Sequence, residues 1–194
     1  MSIRTRYQSL RRRMRADARK GSAAIEFAFV APVFFVLLLG IFESAIMFFS
    51  QAALQNAMTD MGRLIRTGQT GCWTTSGGNC VAMTAAQFRA TLCTKVAPLI
   101  ACSANLQVDV EAFNGYTNVN AAPALNGSNA LNPAANNFQL GNACDVVLAR
   151  AFYTWPVATP ALTWFLVNMA GGKHLMTGAT AFRNEPFTSG VSGC

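Results

Sequence analysis

Few side chains in this sequence are placed to do chemistry, and the most pointed arrangement stands at the mouth of its longest apolar run. Glu26 lies five residues after Gly21, just before a stretch, residues 27–42, that holds no charged side chain. A carboxylate at the rim of an apolar segment is costly and calls for a partner. One reading is local: Ser22 caps a helix starting there, and Glu26 in its first turn faces the positive end of the dipole. The other is chemical. Scission after Gly21 frees an α-amine on Ser22, and Glu26 pairs with such an amine in its own chain or a neighbour's. Gly21 offers no side chain to obstruct access to that bond, and Ser22, Ala23 and Ala24 are small.

The other reactive groups are six cysteines, Cys72, Cys80, Cys93, Cys102, Cys144 and Cys194, all beyond the apolar run. An even number on an exported segment points to disulfides, against the alternative of buried reduced thiols. Short-loop closure favours Cys72–Cys80 and Cys93–Cys102, which leaves Cys144–Cys194 by elimination. Zinc is not expected, because there is no Cys-x-x-Cys and His174 is the only histidine. That histidine is also the only imidazole base available, and nothing near it in sequence would orient it. Asp60, Asp109, Glu111, Asp145 and Glu185 are dispersed, and no phosphate loop occurs. These residues predict no enzyme, no metal, no cofactor and no small-molecule substrate.

The element that must position Gly21 and Glu26 is the run itself. The 23 residues 27–49 make a helix of roughly 34 Å, enough to cross a bilayer core of about 30 Å. Upstream, residues 1–20 hold eight basic side chains and one acid, so they account for the whole net charge of +7. By the positive-inside rule this leader stays in the cytoplasm and the chain after Phe49 is exported. No basic surface remains beyond the leader, which excludes a nucleic-acid-binding reading. A buried core helix rarely needs this length or a cation block beside it. A cleaved secretory signal, with Ser50, Gln51 and Ala52 as a small-x-small site, would have an apolar region far longer than usual.

The order of basic leader, Gly21, SAAIEF and long apolar run resembles the prepilin class-3 signal. GSAAIEFAFVAP, residues 21–32, is similar to the amino-terminal motif of TadE-like pseudopilins of tight-adherence (Flp) pili. ATAFRNEPF, residues 179–187, resembles that family's carboxy-terminal strand, and RLIRTGQ, residues 63–69, resembles the end of its stalk helix. Structural pilins of the family usually carry Glu-Tyr where this chain has Glu26-Phe27, which points to the pseudopilin branch. The resemblance implies cleavage between Gly21 and Ser22 by a prepilin peptidase, with Glu26 and Phe27 serving assembly. It also implies a single-pass inner-membrane protein with a periplasmic carboxy-terminal domain, partnered by other pilins and pseudopilins and entering or initiating a type IV pilus. The competing reading is an uncleaved, membrane-anchored periplasmic binding or scaffold domain.

Three segments follow: a basic, mobile leader (1–21), a transmembrane and stalk helix (22–68) and a periplasmic domain (69–194). Past Phe49 the helical pattern continues through Leu54, Met58, Met61 and Ile65, and Gly68 is a good stop. From Ser22 to about Thr67 the helix spans roughly 69 Å. Pro32 invites a kink, Glu43 is expected to reach water, and Gly62 weakens the helix modestly. Residues 68–79 read as a loop, and Thr84 with Gln87 forms a capping box for a second helix along Phe88, Leu92 and Val96. Leu106, Val108 and Val110 alternate with Gln107, Asp109 and Glu111, a half-buried strand whose acids face solvent. Residues 145–155 and 174–183 are two more strands. Between the first two lies an Asn-rich excursion, 114–143, a surface loop or mobile segment. Thr159 and Pro160 open a helix to about Ala170, whose Leu162, Trp164, Phe165, Leu166 and Val167 are either packed in the core, which is the favoured reading, or partly presented to the membrane surface or a partner subunit. The fold class is α+β, with about three antiparallel strands packed on helices.

Overall fold

Good helix formers fill residues 3–20, and only Pro32 lacks a backbone donor before Arg66. In the computed structural model these residues form one helix, α1 (Ile3–Arg66), which therefore starts well before Ser22. The structure describes residues 22–97, 99–102, 105–187 and 194 and, for 3–21, the helical backbone alone. The expected mobility of the leader, its cationic side chains and Pro98 lie outside the described residues. The chain divides into two compact units, residues 1–43 and 44–194. The first is helical, and Glu43 within it is buried rather than reaching water.

The second unit begins with the remainder of α1. Leu54, Met58, Met61 and Ile65 are fully buried, as their spacing requires, with Met47 and Ala57 on the same stripe. The helix ends before Gly68, whose φ of +72° needs a residue without a Cβ. The loop that follows contains a short turn and a two-stranded hairpin, β1 (Thr74–Ser76) and β2 (Asn79–Val81), joined through Gly77 and Gly78, both at positive φ. Helix α2 (Ala85–Val96) starts at Thr84 with both capping-box bonds formed, and buries Phe88, Leu92 and Val96.

Three strands form the main antiparallel sheet, β3 (Leu106–Phe113), β4 (Val146–Pro156) and β5 (Lys173–Arg183), with β4 in the centre. Its apolar face joins the α1 stripe and α2 in one core that includes Leu106, Val108, Val110, Ala149, Ala151 and Met176. The chain is thus a long apolar helix followed by a small α+β domain. The cysteine pairs lie at disulfide distance, with Cα separations of 4.6 Å for Cys72 and Cys80, 5.7 Å for Cys93 and Cys102, and 5.3 Å for Cys144 and Cys194.

Two further expectations are overturned. The helix from Thr159 shrinks to one tight turn and α3 (Thr163–Leu166), because Asn168 and Met169 already donate backbone bonds to the Lys173 carbonyl to start β5. Its Trp164 and Phe165 are 76% and 68% exposed rather than in the core. The acids of β3 differ too: Asp109 is fully buried. It faces Arg150, its register partner on β4, whose Nε donates to the carboxylate at 3.0 Å. What covers this pair is the Asn-rich excursion. Asn137 donates its backbone N–H to Asp109 (2.8 Å), and the Ala122 carbonyl accepts from Arg150 (2.8 Å).

Candidate functional site

A helix of 45 residues from Ser22 has two halves with opposite needs. Residues 22–49 are rich in Phe, Val, Leu and Ile, and the side chains of Phe27, Phe29, Val33, Phe35, Leu37 and Phe42 are each more than half exposed. Burying one such side chain is worth about 1.5–3 kcal/mol, so this surface demands a cover of lipid or other helices. At its start Ser22 Oγ donates to Glu26 Oε1 at 3.2 Å. Ser22 is therefore no N-cap in the full-length chain, because α1 passes through Gly21 without interruption. The structure brings Ser22 and Glu26 together and leaves Phe27 exposed. Of the cysteine pairs, Cys72–Cys80 closes the hairpin loop, Cys93–Cys102 ties the end of α2, and Cys144–Cys194 ties the start of β4 to the last residue.

From Ser44 onward the same helix is bound to β5 by features that depend on side-chain type. Gln51 Nε2 donates to the Thr177 carbonyl (2.7 Å). Gln55 does more: its amide donates to the Ala179 carbonyl (2.8 Å) and accepts from the Ala179 N–H (3.0 Å). Close approach is permitted by two glycines. A Cβ on Gly178 would stand 3.0 Å from the Leu54 carbonyl oxygen, and one on Gly62 would stand 2.6 Å from Thr180 Cγ2. At the far end Arg66 pairs with Glu185 at 3.0 Å, and Phe187 covers Gly68. Glutamines thus close the β5 edge. The opposite edge, β3, is closed by the excursion, where Val110 exchanges backbone bonds with Asn137 and Gln139 (2.9 and 2.8 Å).

The sequence and this helix decide which known proteins the chain resembles. Residues 21–63 match the family model of the TadE-like proteins. No curated protein and no solved structure matches the chain.

The TadE-like stretch starts at Gly21 and holds Ser22, Glu26 and Phe27, the apolar surface, Gln51, Gln55 and Gly62. The stretches 63–69 and 179–187, apart in sequence, meet in space: the Glu185 N–H donates to the Arg66 carbonyl at 2.9 Å. Sequence reasoning missed Gln55 as a strand-edge partner and Arg150 as the counter-ion of Asp109. The one available signal was the polar repeat of Gln51 and Gln55 four residues apart, beside the buried stripe. Among the described residues no group of three or more His, Cys, Asp and Glu gathers as a metal site. His174 Nδ1 donates to the Leu166 carbonyl, which fixes the turn before β5.

Proposed function

We propose that this chain is a minor pseudopilin that acts in the assembly or initiation of a Tad/Flp-type pilus, inserted in the inner membrane and processed by a prepilin peptidase after Gly21. The observation that carries the reading is the division of α1. Its TadE-like beginning is apolar and uncovered, while its continuation is locked to β5. The middle of each edge of the three-stranded sheet is bonded within the chain, by Gln51 and Gln55 at β5 and by residues 137 and 139 at β3, which disfavours strand addition there. Lateral association then falls to the exposed helix surface, as joining a helical filament core requires. The domain, periplasmic in this reading, is carried along as a rigid head with three disulfides, which suits an oxidising compartment.

Ser50, Gln51 and Ala52 lie in the middle of α1, with Ser50 buried and Gln51 bonded to Thr177. That placement speaks against removal of the apolar run by cleavage there. The second reading, an uncleaved anchored scaffold domain, is favoured by the continuous helix through Gly21. Amino-terminal sequencing of the membrane-extracted protein separates the two. Pseudopilin processing gives a chain starting at Ser22, whereas the anchor gives one starting in the initiator region.

A further inference from the structure

The exposed pair on α3 has no role in the assembly reading. Trp164 and Phe165 lie against each other, ring centroids 3.6 Å apart and planes tilted by 34°, both largely exposed. They sit in a 16-residue stretch, 157–172, that contains no charged side chain. Immediately after it comes Lys173, exposed at the start of β5. The next residue, Leu166, turns the other way and lines a cleft of about 120 Å³ with Ser44, Met47, Phe48 and Met176. So α3 is held beside residues 44–48 of α1, where the second unit begins, within the last turns of the apolar run. Phe48 there is itself 76% exposed.

We propose that Trp164 and Phe165 dock into the interface of the bilayer that α1 enters, with Lys173 over the lipid phosphates. The inference rests on the reading that residues 22–49 span a membrane, and it gives the domain a second, reversible contact with that membrane. Four observations favour a lipid surface over a protein partner. Tryptophan and an adjacent lysine are the side chains that settle at a membrane interface, the ring among the headgroups and the ammonium reaching outward. The indole N–H already donates to the Ala161 carbonyl (2.9 Å), so the ring can leave water without stranding a donor. Two backbone donors of the turn are likewise bonded within it, Leu162 N–H to the Thr159 carbonyl and Val167 N–H to the Thr163 carbonyl, both at 3.0 Å. The neighbouring Leu166 also lines a cleft with Ser44, Met47 and Phe48, so the patch belongs to the same part of the second unit as that unit's first, apolar turns of α1.

The test uses the full chain in vesicles of phosphatidylcholine and phosphatidylglycerol, carrying lipids brominated at a shallow or a deep acyl position. Trp73→Phe and Trp155→Phe leave Trp164 as the only tryptophan. A parallel protein with Trp164→Phe as well and Phe34→Trp reports the span. The expected result is a blue-shifted Trp164 emission lost more to shallow than to deep bromines, while the Phe34→Trp probe responds more to deep ones. Lys173→Gln should weaken the Trp164 response as phosphatidylglycerol is added. Quenching of the span probe with no loss at Trp164 overturns the docking and leaves the anchor standing. No quenching of either overturns the membrane span and the docking with it. Trp164 shielding that appears only as copies are crowded in the vesicle assigns the patch to a second copy and also overturns the proposal. Because Trp155 meets Tyr153 edge to face and its loss can disturb folding, the same readout is taken as the difference between the wild-type chain and Trp164→Phe alone.

Discussion

Gln55 and Ala179 are joined by both of their hydrogen-bonding groups, the glutamine amide supplying one donor and one acceptor to the edge of β5 as a neighbouring strand would. Replacing Gln55 with Leu keeps the bulk and removes both bonds. A net loss of about 1–3 kcal/mol is expected, since each of the two bonds contributes roughly 0.5–1.5 kcal/mol. Urea unfolding of the detergent-solubilised protein checks this. An unchanged midpoint would show that the edge bonds are exchanged for water at no cost.

The close approach of α1 to β5 makes a sharper prediction at Gly62. In an isolated helix Gly62→Ala gains about 1 kcal/mol of propensity. Here the added methyl meets Thr180 Cγ2 at 2.6 Å and Phe182 Cε1 at 2.9 Å. Overpacking of that kind costs about 1–3 kcal/mol, so the net effect is destabilising. Gly62→Ala with Thr180→Ser should recover part of the loss, because the nearer of the two obstructing groups is gone while Phe182 stays. A thermal shift upward in the single variant would contradict the packing described.

Those glycines also show where sequence reading reaches and where it stops. Leu54, Met58, Met61 and Ile65 were legible because helix periodicity reports burial on one face whatever the partner is. The capping box at Thr84 and the alternation of β3 were legible for the same local reason. Gly62 read as a mild defect, because its value depends on Thr180, more than a hundred residues away. Asp109 read as solvent-facing, because alternation describes one face of a strand and cannot say that residues 122 and 137 will cover the other. Trp164 and Phe165 failed in the opposite direction. An apolar cluster was expected in the core, but the turn into β5 ends the helix after Leu166 and leaves both rings outside. At the start of the apolar run, Gly21 and Glu26 stood out by their position between the basic leader and that run, since their spacing alone is a weak signal, and any partner group on another chain would leave no mark in this sequence.

The ion network on β3 should respond to pH with a definite sign. Burial, reinforced by the Asp109 charge, holds the Glu111 carboxyl above the ordinary glutamate range; a hydrogen bond with Asn137 and the Arg150 charge offset this in part. A raised folded value means that ionised Glu111 costs stability above that value. The cost is relieved as pH falls through the raised value toward the unfolded one. Glu111→Gln should therefore be at least as stable as wild type at neutral pH and should flatten the stability profile across that interval. Asp109→Asn should do the reverse, losing up to about 3 kcal/mol, because the half-buried Arg150 then keeps Glu111 at 3.4 Å as its carboxylate partner. Chemical denaturation at a series of pH values distinguishes these outcomes.

All three cysteine pairs should be oxidised in protein isolated from the membrane. Alkylation without reduction, followed by mass spectrometry, should label no cysteine. Cys144→Ala with Cys194→Ala opens a loop with a sequence separation of 50 residues. Loss of such a bridge typically costs about 2–5 kcal/mol, with the long loop favouring the upper part of the range. Six alkylated thiols would remove the disulfides and, with them, the argument for an oxidising compartment.

The last prediction concerns Gly21 and Glu26 together. In the full-length chain Glu26 accepts from Ser22 Oγ at 3.2 Å, a bond within one turn of a continuous helix. Processing between Gly21 and Ser22, as proposed, needs that turn to open so that the peptidase reaches the backbone; a glycine weakens the helix there by about 1 kcal/mol. The product would lose the basic leader and gain an amine on Ser22, four residues before the carboxylate and within reach of it. Gly21→Leu strengthens the turn and blocks the site, so it should leave a protein of unprocessed mass. Glu26→Gln should still be cut, because the carboxylate is not needed at the scissile bond. It should then fail in assembly, since an amine carried into a helix-lined, lipid-facing core without its carboxylate costs several kcal/mol. The measurements are apparent mass on gels and co-isolation with other pilus subunits. If Gly21→Leu changes neither mass nor pilus formation, processing at this site is refuted and the uncleaved anchor is the better account. If Glu26→Gln is processed and assembles normally, the amine pairing fails while the cleavage stands.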